Sequence, residues 1–261
     1  MKIYIAADME GVGGIMLPEQ LSRGTAEYAE ARQLLTAEVN AAVDGAFEGG
    51  ATEVIVRDAH GTGFNILCDQ FDTRARLLQG AAVPDRFPEL EGASGLILLA
   101  YHAKAGTQAA VCDHTMSSVA WFRYELCGRE VGEVGIDAAL AGCINVPVML
   151  VTGDDKVCAE AAALLPGVTT CETKIGLARH AAIHLAPAEC RRRIRDAATK
   201  AVKAPRPAPF QPAPPYEARV THVLSSGADG RRYDHRTLRI DARTVACRGD
   251  DLRDVIERSL R

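Results

Sequence analysis

No stretch of this 261-residue chain approaches the roughly 18 consecutive apolar residues of a membrane span. The N-terminal segment does not read as a signal peptide, because Asp8 and Glu10 break its apolar run too early. Cys-x-x-Cys pairs are absent: eight cysteines are scattered, and a chain this long builds its own core without a disulfide scaffold. They read as small apolar residues with reduced thiols, which makes the cytoplasm the expected location. Positive charge is also lacking. A net charge of −4 argues against a nucleic-acid partner. The one basic stretch, Arg191-Arg192-Arg193 with Arg195, Lys200, Lys203 and Arg206, has no interleaved aromatics and reads as a solvated helix face. Gly11, Gly13 and Gly14 miss the dinucleotide fingerprint, and the acids before them would repel a phosphate. These glycines read instead as tight turns beside a metal site. There is no internal repeat.

What is present is a recurrence. Three apolar segments, Lys2–Ala7, Glu53–Arg57 and Gly95–Tyr101, each end in metal-type ligands. Short Ile-, Val- and Leu-rich runs separated by helix-length segments read as buried parallel strands. Open α/β sheets bind ligands beyond the carboxyl ends of such strands. One sheet would then deliver Asp8, Glu10, Asp58, His60 and His102 to one rim, a donor set that suits a divalent transition metal, zinc first. Asp8 and Glu10, two apart in extended backbone, point to the same side, and two carboxylates there repel unless a cation or proton lies between them. Asp58 and His60 repeat the spacing. Asp58 stands either as a ligand or as the carboxylate that orients a ligating imidazole.

The rest of the chain follows an α/β pattern. Residues 25–48 form a helix with Leu35, Val39, Val43 and Phe47 on one face, stopped by Gly49-Gly50. Residues 76–79 are a short strand, 85–91 a turn or short helix, 117–126 strand-like, and 127–129 a turn. A helix covers 133–143, a fourth buried strand 146–151, and helices 155–165 and 187–203 flank a variable stretch. Glu133 at the start of its helix is also ordinary charge placement against the helix dipole. His180 and His184, spaced i, i+4 without a glutamate between them, read as an exposed helix face. Residues 204–215, with six prolines in twelve, form a stiff connector and the expected domain boundary. Beyond it lie strands at 217–224 and 238–247 and a helix at 250–260. The expected fold is thus a three-layer α/β/α domain, residues 1–203, with a largely parallel sheet. A small C-terminal α+β part, 216–261, packs on it.

Taken in order, the motifs resemble a known family. Asp-Met-Glu-Gly after the first strand, Asp-Ala-His-Gly followed by Asn65, Tyr-His-Ala after the third strand, and His114-Thr115 come first. Val-Gly-Glu at 131–133, Val-Pro-Val-x-Leu-Val-Thr-Gly-Asp-Asp at 146–155, and Thr173-Lys174-Ile175-Gly176-x-x-Arg179 complete the series. The series resembles the zinc-dependent D-aminopeptidase family over about residues 1–203, and more faintly beyond. The resemblance implies two zinc ions per subunit. Asp8 would bridge both, Glu10 would bind the first, and His60, His102 and Glu133 would be the other ligands. It implies His114 as the catalytic nucleophile, although the residue itself is equally compatible with a general base. It further implies a short peptide substrate, D-residues at its amino end, and a homodecamer of two stacked pentameric rings. The alternative activity is that of another metal-dependent amidohydrolase, acting on a non-peptide amide.

Overall fold

A computed structural model describes residues 1–81 and 85–261. The strands are β1 Lys2–Ala7, β2 Glu53–Asp58, β3 Arg76–Leu78, β4 Gly95–Tyr101, β5 Trp121–Leu126, β6 Arg129–Glu130, β7 Val148–Asp154, β8 Thr169–Ala178, β9 Ala181–His184, β10 Tyr216–His222, β11 Thr237–Arg239 and β12 Thr244–Gly249. The helices are α1 Ala26–Glu48, α2 Glu133–Gly142, α3 Asp155–Leu164, α4 Pro187–Lys203, α5 Ser225–Asp229 and α6 Leu252–Ser259.

Alternation along β1 divides the core. Ile3, Ile5 and Ala7 face one side and pack with Leu35, Val39 and Val43 of α1 and Ile194 and Ala198 of α4. Tyr4 and Ala6 face the other side, with Val134 and Ala138 of α2 and Val157 and Ala161 of α3. Both faces of the sheet are covered, as a parallel sheet requires. Thr25 caps α1 by accepting from the Tyr28 N–H at 3.0 Å.

The main sheet has the order β3-β2-β1-β4-β7-β8-β9 and is parallel except for the antiparallel pair β8–β9. Chain order reverses direction across β1 and β4, which is where open α/β sheets bind ligands. The neighbours of β1 are β2 and β4, with Ala7 opposite both Asp58 and Leu99. The sheet therefore sets the end of β1 between the ends of β2 and β4.

A second sheet, β11-β12-β10-β5-β6, is antiparallel. It takes β5 and β6 from before the Pro-rich stretch and β10 to β12 from after it. Leu252, Val255 and Ile256 of α6 pack against its Tyr124, Leu126 and Ala218. The Pro-rich stretch is held against the end of α2: Gln211 Nε2 donates to the Gly142 carbonyl at 2.8 Å and to Asn145 Oδ1 at 3.0 Å. All eight cysteines are free thiols. No helix among the described residues is long and apolar enough to cross a membrane.

Some local expectations are corrected. Residues 117–120 are a turn ahead of β5, not strand. At 85–91 the turn, and not the short helix, of the two expected alternatives is found. The fourth buried strand runs on to Asp154, because Gly153 lets β7 pass close to the Tyr101 carbonyl. The expected strand at 238–247 is two strands, since Asp241 accepts from the Arg243 and Thr244 N–H groups and turns the chain. The variable stretch is the hairpin β8–β9. His180 and His184 lie in its turn and on β9, not on a helix. Cross-strand pairing of Ile175 with Ile183 overrides the helical spacing.

Gly11 is where the first loop crosses β4. A Cβ there would stand 2.2 Å from the Tyr101 oxygen and 2.4 Å from the Ala100 carbonyl carbon, both backbone atoms that cannot swing away. Gly11→Ala should therefore lower stability by about 1–3 kcal/mol through overpacking. Urea unfolding of the metal-free protein measures this, and an unchanged midpoint would show that the loop can retreat from β4.

Candidate metal centre

The crossing order of the strands brings the ligand-type residues together. Met9 points into the α1-side core, and Asp8 and Glu10 on either side of it reach the rim. His60 Nδ1 lies 3.0 Å from Asp8 Oδ1 and 3.0 Å from Glu10 Oε2. His102 Nε2 lies 3.4 Å from Asp8 Oδ2 and 3.3 Å from Glu133 Oε1. The two oxygens of Asp8 thus face two different imidazoles. Glu133 arrives from the first turn of α2. Ligand atoms of Asp8, Glu10 and His60 lie within 4.8 Å of one another, and so do those of His102, His114 and Glu133.

The hydrogen bonding of the two stacked histidines fixes what they present. His102 Nδ1 sits 3.0 Å from the Ala103 carbonyl and His114 Nδ1 2.9 Å from the Cys112 carbonyl. A carbonyl can only accept, so each Nδ1 carries the proton and, in a neutral ring, each Nε2 offers a lone pair. The rings stack with centroids 3.8 Å apart. His114 Nε2 stands 3.7 Å from Glu133 Oε1 and 4.0 Å from Glu10 Oε1.

This is a pocket of acceptors facing acceptors. Asp8, Glu10, His102 and Glu133 are all buried, and His102 Nε2 and Glu10 Oε2 have no hydrogen-bond partner. Only a cation or a proton satisfies such atoms. Donors on one tetrahedral zinc at about 2.0–2.1 Å lie roughly 3.3 Å apart. The His60 and His102 contacts, at 3.0–3.4 Å, are near that edge length, and the His114 contacts are longer. The carboxylate and imidazole set therefore fits zinc-type ions. Without a cation the same field acts on protons. Burial works against charge at Asp8, Glu133, His60 and His102. Even so, the imidazoles of His102 and His60 against its two oxygens hold the Asp8 carboxyl well below its usual range. Glu133, with the His102 imidazole against it, is held at about 2. His60 and His102 are held well above the usual histidine range by the same carboxylates.

Each ligand-bearing loop is fixed from behind. Asp58, fully buried, accepts from the Asn65 N–H at 2.5 Å, Asn65 Nδ2 at 2.6 Å, the Ile66 N–H at 2.9 Å and Gln79 Nε2 at 3.1 Å. Asn65 Nδ2 also donates to the His60 carbonyl at 2.7 Å. Asp58 is consequently occupied in shaping the loop that carries His60. Lys174 is buried and donates to the carbonyls of Glu10, Val12 and Ile15; burial pushes its ammonium down to about 8. Thr173 Oγ1 donates to the Gly11 carbonyl at 2.7 Å. Asp154 accepts from the Val111 N–H at 2.8 Å while capping α3. Glu133 is held by the Met116 N–H at 2.8 Å and by Arg86, which also pairs with Asp137.

Arg86 and Asp137 are not marked by the sequence reading, and Asp154 and Lys174 stand in its motifs without the roles seen here. For Asp137 a signal exists, since it lies one helical turn after Glu133 on the same face of α2. Cys112 and Met116, two residues to either side of His114, have φ of 51° and 61°. This left-handed backbone costs about 1–3 kcal/mol per residue, and such strain clusters at functional sites. A cavity of about 580 Å³ opens over the cluster, lined among others by Asp8, Glu10, His60, His114, Glu133 and Arg179.

The chain as a whole is similar to known proteins in sequence and in fold. A family model described as D-aminopeptidase matches residues 1–259. A D-aminopeptidase of Bacillus subtilis (strain 168) is 35% identical over 196 residues, which are 74% of this chain and 70% of the relative. The solved structure of the Zn-dependent D-aminopeptidase DppA from Bacillus subtilis, described as a self-compartmentalizing protease, superposes with a TM-score of 0.93 at 30% identity. The match covers 100% of this chain and 96% of that one. With a family model spanning nearly its whole length, this chain belongs to the D-aminopeptidase family of metallo-aminopeptidases.

Proposed function

We propose that this protein is a dinuclear zinc aminopeptidase that removes the N-terminal residue, in particular a D-residue, from short peptides. The observation that carries the reading is the position of Asp8, one oxygen toward His60 and the other toward His102. In this reading Asp8, Glu10 and His60 would hold one ion, and Asp8, His102 and Glu133 would hold a second. Two bound ions supply Lewis-acid polarisation of the scissile carbonyl and a counter-charge for the oxyanion. His114 Nε2, its Nδ1–H held by the Cys112 carbonyl, presents a lone pair beside the cluster. It either attacks the carbonyl carbon or takes a proton from water. The Cys112 and Met116 backbone keeps the ring in place, and Arg86 and the Met116 N–H keep Glu133 oriented toward His102. The chains assemble as a homodecamer of two pentameric rings in the cytoplasm, and the enclosed chamber admits only short or unfolded peptides.

Three measurements test this. First, a panel of D- and L-aminoacyl peptides and amides, assayed with zinc or with EDTA, should show zinc-dependent release of N-terminal D-residues. Turnover confined to non-peptide amides would point to a different amidohydrolase. Second, elemental analysis of Asp8→Ala should find both ions lost, whereas Glu10→Ala mainly weakens one. His114→Ala should keep its zinc and lose at least the ~10²–10⁴-fold in kcat of a missing acid–base group. Zinc loss in His114→Ala would instead make it a ligand. Third, sedimentation should find a decamer, and a fully active monomer at micromolar concentration would refute the chamber.

A further inference from the structure

The cavity over the cluster carries charge of both signs. Asp8, Glu10 and Glu133 line it. Two arginines also line it, and they differ in how they are engaged. Arg86 is held by Asp137 and Glu133. Arg179, which directly follows β8, uses a single nitrogen: Nη1 donates to the Asp113 carbonyl and, at 2.6 Å, to Asp113 Oδ1. The other oxygen of Asp113 accepts from the Gly106 N–H at 2.7 Å. Among the described residues, no acceptor meets Arg179 Nε or Nη2, and the side chain is 43% exposed. Nε–H and Nη2–H form the planar edge of a guanidinium that matches a carboxylate in bidentate fashion. Its position is fixed relative to the reacting group. The Cys112 N–H donates to the Arg179 carbonyl at 2.9 Å, and Asp113, its side-chain partner, adjoins His114.

From this we infer that Arg179 is a specificity-determining residue that binds the C-terminal carboxylate of a short peptide whose amino end lies at the acidic cluster. The inference rests on the aminopeptidase reading and narrows its substrates to unblocked peptides of a few residues. A substrate of that kind carries a cationic amine at one end and an anionic carboxylate at the other, matching the acids and the unpaired guanidinium edge. The cavity, about 580 Å³, is the size of small-ligand pockets. Asp113 orients the guanidinium without covering its free edge.

The test compares a D-alanyl dipeptide with its C-terminal amide on the zinc-loaded full-length protein. Wild type should favour the carboxylate by ~10- to 100-fold in kcat/KM, the range of a hydrogen bond to a charged group, and mostly through KM. In Arg179→Gln that ratio should fall to near one, and Arg179→Lys, which keeps the charge but not the fork, should lie between. Binding to zinc-loaded His114→Ala gives a second readout, in which the dipeptide should bind more tightly than its amide. Equal turnover of both substrates by wild type would overturn the inference. So would Arg179→Gln slowing both with the ratio preserved, because that is the signature of a structural role through Asp113. Turnover of neither substrate by zinc-loaded wild type would overturn the aminopeptidase reading itself, and this inference with it.

Discussion

Buried acceptors that face one another are the constraint around which this protein is arranged. Asp8, Glu10 and Glu133 have been taken out of water, and the lone pair of a neutral His102 is aimed at carboxylate oxygens. Left uncompensated, each buried carboxylate would cost several kcal/mol. A proton on His60 and His102 relieves part of this, and a divalent ion relieves more. Metal and proton therefore compete for the same atoms, which couples metal binding to proton release.

A site of this kind has value only if its donors stay in place, and the supporting contacts show how that is done. Lys174 and Thr173 on β8 hold the carbonyls of the loop after β1. Asp58 and Asn65 hold the loop after β2. Asp154, at the end of β7, reaches the loop that leads to His114. In each case a side chain from a rigid strand or its end satisfies backbone that forms no ladder of its own. Such groups would otherwise be buried and unpaired. The strained backbone at Cys112 and Met116 persists because these contacts over-determine it.

The second sheet contributes through α2. That helix carries Glu133 on its first turn and packs between the main sheet and the layer formed by α6. The chain after the Pro-rich stretch therefore backs the helix that carries Glu133. The turn at 117–120, just ahead of β5, supplies Ser117 and Ser118 to the cavity wall. Tail and acidic rim are in this way parts of one packing problem, although no tail residue lines the cavity among the described residues.

The sequence by itself determined the parallel strands, the main helices and the residues at their ends. Those follow from local rules: apolar runs, glycine stops, and carboxylates and imidazoles placed where such strands terminate. It also carried the ordered motifs that resemble the D-aminopeptidases. It did not determine which strands would be neighbours. Only the order β2-β1-β4 puts Asp8 between His60 and His102, and that order arises from pairing across about fifty and ninety residues of chain. The same holds for the hairpin carrying His180 and His184, where cross-strand contacts outweigh a helical spacing. It holds too for Asp58, whose spacing to His60 fits a ligand until Asn65, Ile66 and Gln79 are seen to occupy its oxygens. The partners of Arg86 and Lys174, and the Val111 partner of Asp154, lie 43 to 164 residues away. Local pattern names the groups that bear chemistry, but which buried acceptor meets which donor is settled by long-range packing.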